Sequence, residues 1–498
     1  MSRPSLIRAL AVVIGMVLLA AACGQKPNVH LGGPGGGAVG GVMPSEGMSE
    51  TFVDADGDGI DDNTGLTQDQ FDQQVARAGA GDGGGQGAGA AGGDGGGAAA
   101  GAGTPAGSGG GGGSGGGGAG GGGGGGGGAN PPPGPGDSTG VTDDTITIGI
   151  HAPLTGAAPL PSESFRRGKD QYWSLHKVAG RQVKVEFRDD KYNPSSASQV
   201  CQELVSRVKV FLLIGAGGTD QIAECARVAA NAGVPYLSAG VTELRLNQLP
   251  NYFALSKSYG QQMPLLMQMI NKEVKPTNKL VGLIASNTAN FDDAVQAFDA
   301  AAKKSALTPK IYRPSKQASD GELAGIANSM SADGVTVATP VMAPTQWIKL
   351  ASNPQMRSVR WRGIGITMGL NTVATAVCES SGGAVDKAAF FSPWMGLNMS
   401  GQVDPNFAEG GGKDDIEWSL WGLNKTIHAA FKKMGGNLTR QAFAQAMTGG
   451  ISSGIYPDLR HTQSNHFGAT SVNVLRLSCG SKPAQFRSEK ADTFRKSF

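Results

Sequence analysis

The segment IGAGGTDQIAEC, Ile214 to Cys225, runs from an apolar stretch into helical spacing, with Thr219 where an N-cap belongs and Asp220 in the first turn. Unpaired amides at such a helix start favour an anion. Gly217 and Gly218 let a ligand approach the backbone closely, so a hydroxyl at Thr219 can help to hold a carboxylate. The plainer role for Thr219 is to cap its own helix. Three other patterns suggest catalysis and then lose the suggestion. Gly450, Ser452 and Gly454 match GxSxG, but they follow the helical run QAFAQAM and not a strand, which makes them a loop and not a nucleophile elbow. Gly363, Gly365 and Gly369 form GxGxxxG, one residue too long for a dinucleotide turn. His428 and His466 have no Ser/Asp or metal-ligand spacing around them and are read as structural, as Trp394, Trp418 and Trp421 are read as core. No catalytic residue, metal ion or cofactor is expected.

Two features near the start concern attachment. The apolar run from Ala9 to Ala22 is 14 residues long, the length of a signal-peptide core and short of the roughly 20 residues that span a bilayer. It follows Arg3 and Arg8 and ends in small residues before Cys23, so residues 1–22 read as a signal peptide, with Cys23 a lipidation site that would anchor the chain to the membrane. Further on, DADGDGIDDN places Asp54, Asp56, Asp58 and Gly59 at the first positions of a calcium loop, but Gly65 stands where the closing Glu belongs. A solvated acidic turn is the reading there.

Composition bounds the partners. Lys plus Arg is 42 and Asp plus Glu is 40, so no charge excess exists for a nucleic-acid backbone, and no nucleic acid is expected. The glycine-rich stretch up to Gly136 cannot bury apolar surface, so residues 23–136 are expected to be a disordered tether with a reach of about 55–65 Å. Residues 137–498 exceed the roughly 250–300 at which one core divides, which predicts two lobes. Cys201, Cys225, Cys378 and Cys479 are an even number in an oxidising compartment, and two disulfides are expected.

Short apolar strands alternate with helical segments across the folded part. TITIGI, VKVEF, VFLLIG and PYLS form one series, and LVGLIA, VTVAT and RGIGIT a second. Such runs, rich in Val, Ile and Leu and linked by helices, predict parallel sheets covered on both faces. Ligands of such sheets bind beyond the carboxyl ends of the strands, here the loops after Ile150, Ile214, Ser238, Ala285 and Ile366. Phe291, Val295, Phe298 and Ala302 lie on one helical stripe, which makes Phe298 core.

The strings DTITIGIHAPLTG, FRRGKDQYW, FRDDKYNPSSASQV, FLLIGAGGT and AGVPYLSAGVTEL, followed by NYFALSKSYGQQ, DGVTVATP, GGNLTRQAFAQAM and SNHFGATSVNVLRL, resemble in order and spacing the leucine/isoleucine/valine-binding family of type I solute receptors. Members of that family are substrate-binding lipoproteins of ABC transporters. The resemblance covers Thr142 to Leu477 and implies a two-lobed α/β fold of the type I periplasmic binding proteins, each lobe a parallel sheet flanked by helices, with three crossovers near Tyr259, Ser392 and Leu459. Lobe one would hold about 141–259 and 393–458, and lobe two about 260–392 and 459–482. Cys201 and Cys225 then share lobe one, and Cys378 and Cys479 share lobe two.

The same resemblance maps α-carboxylate recognition onto Thr219, Gly240 and Thr242, with Ser238 a buried strand-end hydroxyl. It also exposes departures on the ammonium side. A tyrosine expected near Leu160 or Pro161 is absent, Phe291 replaces another, and Ile366, Thr367 and Met368 stand where amino-acid receptors carry an acidic residue. Leu160, Pro161, Gly217, Thr219, Gly240, Thr242, Phe291 and Thr367 are therefore the candidate ligand contacts. A buried ammonium without a carboxylate is costly, so a carboxylate or neutral polar compound with an apolar body suits these residues better than a plain branched-chain amino acid. The expectation is a monomeric, lipid-anchored protein on the outer face of the bacterial cell membrane that captures a small solute, amino-acid-like, amide or carboxylate, for an ABC permease. The alternatives are a surface sensor of the same fold that signals to a membrane kinase and a secreted hydrolase using Ser452.

Overall fold

The computed structural model describes residues 136–156, 158–365, 370–489 and 494–498. Cys23, the tether, the Asp54 turn and Thr367 lie outside the described residues.

Alternation of apolar residues in TITIGIHA buries Ile146, Ile148 and Ile150 within strand β1 (Thr145–Ala152). This strand is central to the first sheet. It pairs in parallel with β3 (Arg181–Asp189) from Thr145↔Gln182 to Ala152↔Asp189, and on its other side with β4 (Leu212–Gly215). Beyond β4 come β5 (Tyr236–Ser238) and β6 (Tyr252–Ala254), both parallel, while the short β2 (Lys177–Val178) runs antiparallel on the far edge of β3.

Helix α1 (Ser162–Leu175) covers this sheet and packs against a helix from late in the chain, Asp415–Met434. Gly168 permits the close approach, since a Cβ there would lie 2.8 Å from Leu420 and 3.0 Å from the backbone of Glu417. Arg167 Nε donates to the buried Glu417 carboxylate at 2.6 Å across the same contact. On the other face, α2 (Pro194–Glu203), capped by Asn193 Oδ1, is tied to α3 (Thr219–Asn231) by the disulfide Cys201–Cys225.

After β6 the chain crosses to the second lobe. A capping box of Ser258 and Gln261 starts α4 (Tyr259–Met269), whose Met263, Leu266 and Met267 join a core with Val281 and Leu283. The second sheet runs β8 (Thr308–Tyr312), β7 (Leu280–Ala285), β9 (Val337–Val341), β10 (Arg360–Gly363) and β11 (Ala389–Ser392), all parallel. Its edge departs from the all-parallel expectation. The late strands β12 (Asn473–Ser478) and β13 (Gln485–Ser488) add antiparallel, because the chain re-enters this lobe beside β11 and turns back on itself. Helices α5 (Asp292–Lys304), α6 (Asp320–Ala332), α7 (Pro344–Ala351) and α8 (Leu370–Ser380) cover the sheet. Phe298 is fully buried in α5, and Cys378 of α8 is bonded to Cys479 just past β12.

Between β11 and β12 the chain returns to lobe one as α9 (Asp415–Met434) and α10 (Arg440–Thr448). Buried Arg440 donates to Asp137 Oδ2 at 2.8 Å and to the Val210 carbonyl at 2.7 Å, so the start of the folded part is held on lobe one. The last passage falls later than Leu459. Leu459 bridges Ile451 and Ala469, and Phe467 bridges Ala254 of β6, which keeps the chain on the first sheet through Ala469. Backbone pairing to β6 decides the boundary here, and turn composition does not report it.

Candidate functional site

The strand ends of both sheets face one cavity of about 130 Å³. Lobe one contributes Pro153 and Leu160 from the loop after β1, Tyr192 from the loop after β3, and Gly217 to Thr219 after β4. Lobe two contributes Phe291, the loop from Pro340 to Met342 after β9, Ile364 and Gly365 after β10, and Trp347 and Phe390. Tyr259, at the first crossing, lies where the lobes meet.

The start of α3 differs from the sequence expectation. Gly218, not Thr219, is the N-cap, with φ 77° and no side-chain cap, so Thr219 is the first helical residue. Its hydroxyl is thereby released from capping. Thr219 Oγ1 lies 2.8 Å from the Tyr259 hydroxyl and 3.5 Å from the Val241 carbonyl. Burial pushes the Tyr259 phenol well above its ordinary range, so it stays protonated. One turn further in, Gln221 is 1 % exposed and neither polar atom of its amide has a partner. A Cβ on Gly218 would sit 2.2 Å from Gln221 Oε1, which with the positive φ excludes any other residue there.

Four predicted contacts converge on the cavity: Leu160, Gly217, Thr219 and Phe291. Pro161, Gly240 and Thr242 do not line it. Pro161 precedes α1 as its N-cap. The Gly240 carbonyl accepts from Ser238 Oγ at 3.2 Å and Ser256 Oγ at 3.1 Å, and fully buried Thr242 is bonded through its hydroxyl to Tyr252 at 2.8 Å. The loop after β5 thus folds back on its own sheet. Ser238 is a buried strand-end hydroxyl as expected. Thr367 lies outside the described residues.

Sequence reasoning missed Tyr192, Tyr259, Trp347 and Phe390. A signal existed for two of them: Tyr192 follows the end of VKVEFRDD, and Pro340 and Pro344 bracket the loop after the second series' VTVAT strand, just ahead of Trp347. Ser452 is exposed on the loop after α10 and outside the cavity. His428 is buried against Tyr172, whose hydroxyl lies 2.8 Å from its Nδ1, and burial lowers its pKa to about 4.

Polar contacts join the two lobes beside the cavity. The Asp220 carboxylate of α3 receives Lys316 Nζ and Asn290 Nδ2 from lobe two, and Lys316 also lies 5.4 Å from the centre of the Tyr192 ring. Arg245 Nη2 reaches Asn290 Oδ1 at 2.5 Å, and the Leu244 amide donates to Asp293 Oδ2 at 2.8 Å. The Lys316 pair is partly solvated, so its strength is about 1 kcal/mol. Lys316→Met is accordingly expected to loosen closure without unfolding the protein. A larger radius of gyration in small-angle scattering, with an unchanged circular-dichroism spectrum, is the expected result.

The sequence profile of the periplasmic binding protein family matches residues 145–482, more than half of the chain. The chain belongs to the periplasmic binding protein family. No curated protein matches the sequence. Among solved structures, this family member is similar to a fatty acid ABC transporter substrate-binding protein from Thermomonospora curvata, with 16 % identity, TM-score 0.60, and 73 % of this chain and 98 % of that one covered. It is also similar to an ABC transporter solute-binding protein from Rhodopseudomonas palustris BisB5 in complex with 3,4-dihydroxybenzoic acid, with 16 % identity, TM-score 0.58, and coverage of 71 % and 99 %. A leucine-binding protein, LivK, from Thermotoga maritima matches at 14 % identity and TM-score 0.57, with coverage of 69 % and 97 %. The two lobes, and the cavity between their strand ends, are those of a type I periplasmic binding protein.

Proposed function

We propose that this protein is the extracytoplasmic solute-binding component of an ABC transporter, capturing a small organic molecule between its lobes by hinge closure and passing it to a permease. The observation that carries the reading is the cavity itself, whose walls come from both lobes and whose rim is bridged by Asp220, Asn290 and Lys316. No bond is made or broken in such a cycle. Leu160, Gly217, Thr219 and Phe291 touch the solute in this reading, together with Thr367 on the lobe-two side. Relatives of this fold in complex with 3,4-dihydroxybenzoic acid, benzoate and 4-hydroxybenzoate support a small organic ligand. Cys23 is the lipid anchor, residues 23–136 form the tether, and the protein works as a monomer at the outer face of the membrane. Incorporation of a radiolabelled fatty acid that is lost in Cys23→Ala tests the anchor.

A thermal-shift screen of several hundred amino acids, amides, sugars and organic acids on the full chain tests the capture reading. A ligand that binds only the folded state raises Tm through RT ln(1 + [L]/Kd). Thr219→Ala is expected to weaken the hit about tenfold, or about 1.4 kcal/mol, the worth of one hydrogen bond to the ligand. A screen with no hit of any class would count against solute capture.

A further inference from the structure

The turn after β3 is made of residues that its backbone disfavours. The Asn193 amide donates to the Asp190 carbonyl at 2.9 Å, and the two residues between them, Lys191 and Tyr192, both have φ 55°. Asn and Gly adopt such a type I′ pattern readily, and Lys and Tyr do not. Side chains hold the turn in place. The Lys191 amide donates to Asp189 Oδ1 at 2.9 Å, and the Tyr192 amide to Asp190 Oδ1 at 3.0 Å. Asp189 also accepts the Leu154 amide at 2.8 Å and Thr155 Oγ1 at 2.6 Å, which ties the loop after β1 to the same turn. Asp190 and His151 are fully buried, with His151 Nδ1 2.8 Å from Asp190 Oδ2 and its Nε2 2.7 Å from the Tyr236 hydroxyl. Neither lines the cavity, so this pair acts through the turn that it holds.

What the turn presents is the Tyr192 ring. The ring lines the cavity, and it also walls a small polar compartment with Asp220, Ser286, Thr288 and Lys316. Lys316 Nζ, which comes from lobe two, lies 5.4 Å from the ring centre. One side chain of lobe one thus meets both the solute space and a cation of the closing lobe. We infer that Tyr192 is a positioning residue for closure: the strained turn fixes its place in advance as the seat for Lys316, and a solute in the cavity packs against the same ring. The inference rests on the solute-capture reading and names the residue that joins binding to closure. Every hydrogen bond that shapes the turn lies within lobe one, so the seat is formed before lobe two arrives. Closure then does not have to order it.

Two backbone amides bonded across the lobes report closure without any ligand. Leu244 donates to Asp293 Oδ2 at 2.8 Å, and Asn371 donates to Asp415 Oδ2 at 3.0 Å. Hydrogen exchange of both is followed by mass spectrometry on the full-length protein at pH 7.5, with the Leu213 amide, bonded to the Pro235 carbonyl inside lobe one, as reference. Tyr192→Leu keeps an apolar side chain and removes the aromatic face. It should speed exchange of both interlobe amides about twofold to fivefold, the worth of one cation–π contact, and leave Leu213 unchanged. Tyr192→Phe, which keeps the face, should retain the wild-type rates. In a Lys316→Met background Tyr192→Leu should add nothing, because the seat then has no occupant. Lys191→Gly, at an exposed position outside the cavity, should raise the urea midpoint and leave both amides at wild-type rates. Wild-type exchange in Tyr192→Leu, or an equal acceleration with and without Lys316, would overturn the inference and leave solute capture to the broad screen. A lower urea midpoint in Lys191→Gly would show the turn to be unstrained and overturn it likewise.

Discussion

Replacing Cys378 and Cys479 together by alanine is expected to lower the unfolding free energy by about 4 kcal/mol. The two cysteines lie 101 residues apart. A cross-link over so long a loop removes much of the unfolded chain's freedom, about 4.7 kcal/mol in the chain-entropy account. The enclosed segment includes α9 and α10, so the bond also limits how far lobe one's returning helices can stray once the fold opens. Cys201–Cys225 spans only 24 residues, and the same account gives about 3.4 kcal/mol for its loss. Urea unfolding of the two double-alanine variants, followed by tryptophan fluorescence and by circular dichroism, should rank them in that order. Equal losses, or a greater loss at Cys201 and Cys225, would contradict the ranking. Both bonds stay within one lobe, so neither variant should lose its ligand-induced rise in Tm.

Two disulfides were expected from the even number of cysteines in an oxidising compartment, and the family resemblance placed each pair within one lobe, as the structure has them. The strands buried on both faces were equally legible: TITIGI and LVGLIA are apolar runs of the right length, and β1 and β7 lie inside their sheets, each paired on both sides. Strand β8 was missed, since TPKIY contains a proline and lies on an edge with partial exposure. The site divides along the same line. Gly217 and Thr219 sit where a buried strand meets a helix, which local sequence reports. Thr242 fails because its hydroxyl is taken by Tyr252 in the neighbouring strand, a contact that only the pairing of β5 with β6 creates. Trp347 and Phe390 reach the cavity through the packing of α7 on the second sheet, and no spacing within either segment marks them as a wall.

Asp415→Asn is expected to stabilise the protein at pH 7.5 by about 2–3 kcal/mol and to have no effect at pH 4. Asp415 opens α9 in lobe one, and its Oδ2 accepts the Asn371 amide of lobe two at 3.0 Å, so a side chain of one lobe caps the start of α8 in the other. Asn371 is itself fixed through its Oδ1, which accepts the Phe486 amide at 2.6 Å. Burial first, and the neighbouring Asp414 carboxylate less strongly, push the Asp415 carboxyl up to about 6, against the backbone hydrogen bonds that lower it. Arg167 does not relieve it, because that guanidinium is engaged by Glu417 and Asp414. A carboxyl whose folded pKa lies above its unfolded one favours folding when protonated. Its contribution is therefore complete below about pH 4 and is lost as pH rises through about 6, a span of about 2 units or about 3 kcal/mol. Asparagine keeps the acceptor for Asn371 and removes the charge, so the difference between variant and wild type should grow across that window. Opening the lobes would rehydrate the carboxylate, which makes the closed form take up a proton over the same range. Ligand affinity should then increase from pH 7 to pH 5 in the wild type and stay level in the variant. An Asp415→Asn protein that is less stable at pH 7.5, or whose advantage persists at pH 4, would show that the carboxylate is better accommodated at the lobe junction than its burial implies.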